Sequence, residues 1–451
     1  MTLLQQLLNY KYLSKEHLNG FDNYKYSARD TSPLSVYVMH PFWNWIVKFF
    51  PRWLAPNVMT FLGFLCTVLN FLLLSYYDWN FYASSGLEGT KPIPSWVWLC
   101  TAINIFLAYT LDGIDGKQAR RIGLSGPLGE LFDHGLDSYT AVLIPTCLYS
   151  IFGRSPMYSV PPIRMYYVCW MVFFNFYVSH WEKYNTGVLY LPWGYDLSMW
   201  GSTAMYLITW CSGFEFWKRE LPFGIPLGNA MEFLLHFSAM ANTPMVVVNI
   251  YNSYVQRTGK MRTFKEAIRP LWPLLAFMVL LLLWPFISPN DIMERDPRML
   301  FMLSGTIFSN LSCRLIVAQM SNTRCESFHW MTPIYVICIA LGLWLPFLER
   351  FMLYFLFIIT TLSHWHYGAA VVNQMCEHFN RICFSVNMRQ PAADKKPKIN
   401  GQSSIESSSA TPLMKSTTND KTSTSSATTS SASTVSSNLE TSSSSSSQKL
   451  E

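Results

Sequence analysis

The segment Thr110–Ser138, which reads TLDGIDGKQARRIGLSGPLGELFDHGLDS, joins two apolar stretches and concentrates acidic side chains between them. Asp112 and Asp115 are three residues apart, while Asp133 and Asp137 are four apart, so each pair lies on one face of a helix. The glycines and the proline between the two pairs are typical of a turn that reverses the chain. The sequence therefore predicts two antiparallel helices that aim four carboxylates at one another.

These four carboxylates would repel one another in the ionised state unless cations lay between them. Oxygen donors suit Mg²⁺, Mn²⁺ or Ca²⁺, and the lack of clustered cysteines or several histidines disfavours Zn²⁺. Two such ions would bridge the attacking and leaving oxygens of a phosphoryl-type transfer. Lys117, Arg120 and Arg121 add positive charge for a phosphate, and Gly116 and Gly129 leave room at the points of approach. The competing interpretation is a solvated hairpin of charged residues.

A second pair of candidate catalytic residues, Glu130 and His134, is four residues apart and shares nearly the same face as Asp133 and Asp137. A carboxylate that hydrogen-bonds one ring nitrogen of a histidine makes the other nitrogen a better proton acceptor. We therefore predict that His134 deprotonates a hydroxyl group. In the alternative, Asp133 or Asp137 is the base and His134 only packs or caps the helix.

The composition of the chain is that of a polytopic membrane protein. Of its 451 residues, 50% are hydrophobic and only 13% are charged, whereas soluble proteins carry about 25% charged residues. Aromatic residues make up 16%, which suits the many rings found at membrane interfaces. The net charge of +6 is small, and no basic block interleaved with aromatic residues suggests a nucleic-acid partner.

The expected fold is all-α, with about ten transmembrane helices. A span needs about 20 residues, and ten apolar segments meet or approach that length: 57–77, 95–111, 135–152, 165–181, 196–217, 230–252, 270–288, 299–320, 331–348 and 352–375. Lysines and arginines concentrate before the first segment, after the second and after the sixth, which predicts a cytosolic location for these regions. The acidic cluster would then face the cytosol.

Three regions follow from this pattern: a cytosolic and interfacial N-terminal region at 1–56, a transmembrane domain at 57–390 and a tail at 391–451. In the first, HPFWNWIVKFFPRWLAPN (His40–Asn57) predicts an amphipathic helix in the membrane interface, with a shortened transmembrane helix as the alternative. The tail consists largely of serine and threonine, so we expect it to be disordered.

The spacing of the acidic segment resembles the signature of a known family. The string D-x-x-D-G-x-x-A-R-x8-G-x3-D-x3-D is filled from Asp112 to Asp137 with every spacer of the right length, and it is similar to that of the CDP-alcohol phosphatidyltransferases. Four further strings, YKYSARDTSPLSVYVMHPFWN, SHWEKYNTG, LPWGYD and QMSNTRC, resemble the eukaryotic choline and ethanolamine phosphotransferase branch. The similarity covers residues 8 to 390 and leaves out the tail.

The resemblance implies a ten-span enzyme of the endoplasmic reticulum or Golgi membrane, often a homodimer, which transfers phosphoethanolamine from CDP-ethanolamine to diacylglycerol and releases CMP. Asn57, at the mouth of the first span, and Arg120 would contact the nucleotide, beside Gly116 and Lys117. His134 would be the base and Glu130 its polarising partner. The residues that would hold two Mg²⁺ or Mn²⁺ ions are Asp112, Asp115, Asp133 and Asp137.

Two alternatives remain open for the function. Within the same family, the head group could be choline, or both choline and ethanolamine, because the sequence does not locate the head-group pocket. In a different class, a cation-coupled secondary transporter would place carboxylates at mid-membrane on broken helices and would carry internal repeats. Here the carboxylates cluster at the end of one span, which favours the enzyme.

Overall fold

The computed structural model describes residues 10–154, 160–191 and 193–388, and these are predominantly helical. In chain order the α-helices are α1 (Lys15–Asp22), α2 (His40–Ile46), α3 (Pro56–Tyr77), α4 (Ser95–Ile122), α5 (Pro127–Phe152), α6 (Pro162–Thr186), α7 (Trp193–Ser212), α8 (Leu227–Val255), α9 (Phe264–Ile268), α10 (Leu271–Ile287), α11 (Ile292–Arg295), α12 (Pro297–Met320), α13 (Thr332–Trp344) and α14 (Glu349–His378). The predicted tail at 391–451 lies outside the described residues.

Each of the ten apolar segments predicted from the sequence lies largely within one of these helices. Within the described ranges, six helical stretches are both long and apolar enough to cross a membrane: Pro56–Tyr77, Ser95–Ile122, Leu227–Val255, Phe264–Ile287, Pro297–Met320 and Pro346–His378. The predominantly helical, multi-pass membrane architecture is therefore confirmed, whereas the count of ten spans stays a prediction.

Helix α12 forms the centre of the bundle, and nearly all of its side chains are buried. It packs against α5, α6 and α14, while α5 also contacts α3 on another side. Aromatic stacking reinforces this core, because the ring of Phe301 lies 5.5 Å from that of Tyr166, and the ring of Phe308 lies 4.6 Å from that of Phe173. The helix that carries Asp133 and Asp137 is thus held between two others.

The turn between α4 and α5 forms where its residues favour one. Helix α4 continues well beyond its apolar part and ends before Gly123, which has a φ of +71° that favours glycine. Helix α5 then begins with Pro127 in its first turn. Backbone N–H groups in the first turn of a helix have no partner within the helix, so proline loses no hydrogen bond there. The predicted reversal of the chain is therefore present.

The N-terminal region contributes a short amphipathic helix, as predicted. Helix α2 follows a π-helical turn at Ser35–Met39 and continues into a 3₁₀ turn at Val47–Phe49. Trp43 is buried, with its ring 5.3 Å from that of Tyr109 on α4, whereas Trp45 is exposed. The seven residues of α2 are too few to cross a membrane, which contradicts the alternative of a transmembrane helix.

Four short strands complete the architecture. Strand β1 (Ala28–Asp30) pairs in parallel with β2 (Leu189–Leu191), so that Ala28 lies opposite Leu189. Strands β3 (Glu220–Leu221) and β4 (Ile225–Pro226) form a small antiparallel hairpin between α7 and α8. The pairing of β1 with β2 ties the N-terminal region to the segment that follows α6. Close by, the Tyr24 hydroxyl of the N-terminal region contacts Glu130 in the acidic hairpin, which is formed by the end of α4, the turn and the start of α5.

Candidate active site

Helices α4 and α5 bring three of the predicted metal ligands together. One carboxylate oxygen each from Asp112, Asp133 and Asp137 lies within 4.8 Å of the other two. Asp112 lies about three turns before the end of α4, and the other two lie in the first three to four turns of α5. The helical spacing in the sequence predicted this convergence across the turn.

Asp115, the fourth predicted ligand, lies outside this compact group. It is buried one turn after Asp112 on α4, and its carboxylate accepts a hydrogen bond from the Thr60 hydroxyl on α3. A neutral hydroxyl donor stabilises a buried carboxylate without cancelling its charge. Asp115 therefore adds negative charge beside the three clustered carboxylates.

The donor set fits a hard divalent cation. All candidate ligands are carboxylate oxygens, which Mg²⁺ and Mn²⁺ accept readily. Asp133 Oδ1 is buried and has no hydrogen-bond partner in the part of the chain that the structure describes. A buried oxygen without a partner is costly unless a ligand satisfies it. The residues present thus match the chemistry of a metal-dependent site.

Two hydroxyl donors that hold the aspartates were missed by sequence reasoning. Tyr195, on the first turn of α7, donates a hydrogen bond of 2.7 Å to Asp112 Oδ2. Thr60 does the same for Asp115 from α3. The LPWGYD string contains Tyr195, but its spacing gives no sign that it reaches α4. Tyr109 on α4 donates a hydrogen bond of 2.5 Å to Asp196 on α7. This bond holds α7 close enough to α4 for the Tyr195 hydroxyl to reach Asp112.

The predicted hydrogen bond between Glu130 and His134 is not formed, so this prediction is wrong. Glu130 Oε1 instead pairs with the buried Lys183 ammonium on α6, and it accepts a hydrogen bond of 2.6 Å from the Tyr24 hydroxyl. Burial and the charge of Glu130 raise the pKa of Tyr24, which therefore stays a neutral donor. A full ammonium charge attracts a carboxylate more strongly than a neutral imidazole does, which accounts for the difference.

His134 lies between the carboxylate cluster and α6. Its Nε2 is 3.8 Å from Asp133 Oδ2, and its ring centroid is 5.2 Å from that of His180. Its Nδ1 is buried and has no hydrogen-bond partner among the described residues. The side chain is therefore close to the predicted metal ligands and retains an uncommitted nitrogen. His180 is itself fixed, because the Gln319 amide donates to its Nδ1 over 3.1 Å.

The three basic side chains that were predicted to bind a phosphate have different partners in the structure. Lys117 donates to Asn44 Oδ1 on α2 over 2.9 Å. Arg121 donates to the backbone carbonyls of Val47 and Phe50, so it fastens the N-terminal helix rather than a ligand. Arg120 is exposed, and its guanidinium makes no hydrogen bond or ion pair within the described ranges. Of the three, Arg120 is the free guanidinium beside the cluster.

Two glycines of the hairpin lie next to the side chains that are predicted to contact the nucleotide. A β-carbon on Gly116 would lie 3.5 Å from Arg120 Nη1, and one on Gly129 would lie 3.6 Å from Asn57 Oδ1. Asn57, in the first turn of α3, also donates to Cys383 Sγ at 3.5 Å. Asn57 and Arg120 therefore lie on the two sides of the α4–α5 turn, where the sequence predicted nucleotide contacts.

Comparison with known proteins agrees with this geometry. Residues 53–213 match the family described as CDP-alcohol phosphatidyltransferase, and this range contains the whole hairpin. The chain is 46% identical to ethanolaminephosphotransferase 1 of Homo sapiens over 391 residues, which cover 86% of this chain and 97% of the human protein. It is 47% identical to the protein of the same name from Mus musculus, with the same coverage.

A more distant relative is choline/ethanolaminephosphotransferase 2 of Arabidopsis thaliana, which is 28% identical over 411 residues, covering 84% of this chain and 99% of the plant protein. The similarity to these proteins extends over nearly their full lengths, from the N-terminal region through the helical bundle. The geometry of the acidic hairpin, the spacing of its aspartates and the extent of the similarity to these relatives all indicate the same family. The chain belongs to the CDP-alcohol phosphatidyltransferase family.

Proposed function

We propose that this protein is an ethanolaminephosphotransferase, which transfers phosphoethanolamine from CDP-ethanolamine to diacylglycerol and yields phosphatidylethanolamine and CMP. The observation that carries the proposal is the convergence of Asp112, Asp133 and Asp137 within 4.8 Å at the meeting point of two membrane helices. The identity of 46–47% to two proteins named ethanolaminephosphotransferase 1 supports ethanolamine as the head group.

Two divalent ions, Mg²⁺ or Mn²⁺, would be held by Asp112, Asp133 and Asp137, with Asp115 completing the set. Ions bound there would supply positive charge against the diphosphate of the nucleotide and the departing CMP. The chain's own contribution is to fix the carboxylates in advance. Hydroxyl groups from two other helices hold Asp112 and Asp115, so these ligands do not have to be gathered when the substrate arrives.

The nucleotide would bind at the open end of the hairpin. Arg120 has a free guanidinium that can take a phosphate in a bidentate fashion, and Asn57 offers an amide on the opposite side of the turn. Gly116 leaves the backbone of α4 accessible between them. Lys117 would contribute mainly through its charge, because its ammonium already hydrogen-bonds Asn44.

His134 would accept the proton of the diacylglycerol hydroxyl as its oxygen attacks the phosphorus of the head group. Its uncommitted Nδ1 and its position beside Asp133 support this role. Glu130 would act as a positioning residue, since it connects the first turn of α5 to Lys183 on α6. A general base contributes about 10²–10⁴ to the rate of such a step, so its removal should be easily measured.

The cellular setting follows from the same proposal. CDP-ethanolamine is charged and soluble, whereas diacylglycerol is dissolved in the bilayer, so the site must lie where both can reach it. We place it at the cytosolic face of the endoplasmic reticulum or Golgi membrane. Homodimer formation is also part of the proposal, on the strength of the family resemblance.

The proposal is tested with the purified full-length protein in neutral lipid, labelled CDP-ethanolamine, diacylglycerol and Mg²⁺. We expect phosphatidylethanolamine and CMP in equal amounts, and no product from the Asp137→Asn variant. A chain that moves cations across vesicles but releases no CMP would be a transporter, and the proposal would then be wrong. Competition with CDP-choline measures the head-group preference: stronger inhibition by CDP-choline than by unlabelled CDP-ethanolamine would assign choline instead.

A further inference from the structure

A cavity of about 310 Å³ lies next to the ion pair between Lys183 and Glu130. Its walls come from distant parts of the chain: the end of α1 and the residues that follow it, the end of α6, the loop before α9 and the end of α12. Its volume falls in the range of about 300–1,000 Å³ that is common for small-molecule sites. No role in the reaction proposed above requires this cavity.

The charge of the cavity is strongly positive. Lys25, Lys183 and Lys260 line it, and no aspartate or glutamate is among its described lining residues. Glu130 compensates only Lys183, because the ammonium groups of Lys25 and Lys260 make no ion pair or hydrogen bond in the described ranges. Two ammonium charges are therefore left unbalanced around one small volume.

The electrostatic environment of Lys260 is consistent with this excess of positive charge. Partial burial lowers the pKa of its ammonium, and the nearby positive charge of Arg262 lowers it further. Arg262 also donates to Asn322 Oδ1 over 3.0 Å, which leaves the NH₂ group of Asn322 as a donor at the cavity wall. A bound anion would relieve the repulsion between these cations.

Of the three lysines, Lys183 is held in a buried position, whereas Lys25 and Lys260 line the cavity with side chains that are exposed to solvent. Lys183 is only 3% exposed, and its ammonium lies 5.5 Å from the ring centre of Tyr24. The side chain of Lys260 packs against Gly187: a β-carbon added to Gly187 would lie 3.2 Å from Lys260 Cε. Gly187 has a φ of +81°, so a larger residue would be strained there as well as crowded. Buried Lys183 and the close approach of Lys260 to Gly187 thus shape this part of the cavity wall.

We propose that this cavity binds a phosphate-bearing anion, at a site separate from the aspartate cluster. A phosphate carries one or two negative charges and several acceptor oxygens, which match two uncompensated ammonium groups and an amide donor. The phosphate could belong to a soluble nucleotide or to the head group of an anionic phospholipid. Because Lys183 also holds Glu130, three residues before Asp133, occupancy of the cavity is linked to the first turn of α5.

The test uses the full-length protein in nanodiscs of neutral phosphatidylcholine, with EDTA present to remove divalent ions from the aspartates. Inorganic phosphate and CMP are titrated by calorimetry. Removing one charge near the ligand should weaken binding about fivefold, so we expect about fivefold losses for Lys25→Gln and Lys260→Gln and about twentyfold for the double variant. Lys265→Gln, at an exposed position outside the cavity, is the matched control and should bind like the native protein.

A second arm separates the two sources of phosphate. If a phospholipid is the occupant, nanodiscs containing phosphatidic acid should raise the unfolding temperature of the native protein, and the double lysine variant should lose that increase while Lys265→Gln keeps it. If a soluble phosphate is the occupant, the calorimetric signal appears in neutral lipid. The proposal is overturned if neither arm gives a signal, or if the cavity variants and the control behave alike. Neither result depends on turnover, so failure here leaves the proposed reaction untouched.

Discussion

The buried ion pair between Glu130 and Lys183 offers the sharpest test of the site, because it replaces the contact that the sequence predicted. The two side chains are 7% and 3% exposed. Removing one partner of a buried pair costs about 3–5 kcal/mol, since the other charge stays buried without compensation. We therefore expect Lys183→Met to destabilise the protein by about this amount.

The double variant Glu130→Gln/Lys183→Met should be more stable than Lys183→Met alone, because it leaves no uncompensated charge. Tyr24 can still donate to the glutamine oxygen. We expect most of the lost free energy to return, within about 1–2 kcal/mol of the native protein. The coupling energy of this double-mutant cycle then measures the ion pair itself.

The assay follows thermal unfolding in detergent through the reaction of buried thiols with a fluorescent maleimide. Cys147 and Cys169 are buried and react only when the bundle opens, whereas the exposed Cys211 supplies a constant background. A change of 1 kcal/mol moves the unfolding temperature of domains of 150–250 residues by about 2–4 °C, so Lys183→Met should unfold about 5 °C lower or more. Equal unfolding temperatures for Lys183→Met and the native protein would refute the ion pair.

Activity measured on the same variants separates two roles of Glu130. If Glu130 only positions α5 through Lys183, the rate of CMP release should return in the double variant together with the stability. If Glu130 instead polarises His134, the double variant should be stable and slow. The geometry favours the first outcome, because Glu130 Oε1 already has two partners in Lys183 and Tyr24.

Three further predictions concern single side chains. Tyr195→Phe removes the hydroxyl that holds Asp112, so the Mg²⁺ concentration for half-maximal activity should rise about tenfold, whereas Tyr37→Phe, at an exposed position, should leave it unchanged. His134→Ala should lower the rate of CMP release about 10²–10⁴-fold while equilibrium binding of CDP-ethanolamine persists; normal turnover would exclude it as the base. Burial lowers the pKa of His329 from 6.5 to about 3. Between pH 6.5 and about pH 3 the unfolded chain therefore binds more protons than the folded protein, so the free energy of unfolding falls as the pH drops through this range. Between about pH 7 and pH 5, the unfolding temperature of the His329→Gln variant should therefore fall by less than that of the native protein.

The acidic hairpin could be predicted from the sequence because local rules determine it. The spacing of Asp112 and Asp115, and of Asp133 and Asp137, determines which face of each helix carries them. The glycine at position 123 and the proline in the first turn of α5 determine where the chain reverses. None of these features depends on residues far away in the chain, so one sequence suffices to infer them.

The partners of the site residues could not be predicted in the same way. Glu130 meets Lys183 from α6 and Tyr24 from the N-terminal region, and the second contact spans 106 positions of the sequence. Lys117 has a flexible side chain, and its ammonium reaches Asn44 instead of the turn. Spacing identifies the face on which a side chain begins, but the packing of other helices decides where a long side chain ends.

The position of Thr60 and Tyr195 gives the aspartate cluster its functional meaning. A hairpin of charges exposed to solvent would hydrogen-bond to water and would need no hydroxyl groups from other helices. Here α3 supplies one donor to Asp115 and α7 supplies one to Asp112, and both donors are neutral, so the negative charge of the cluster remains. The protein therefore orients the carboxylates while leaving their charge uncompensated, and a cation is the partner that this combination favours.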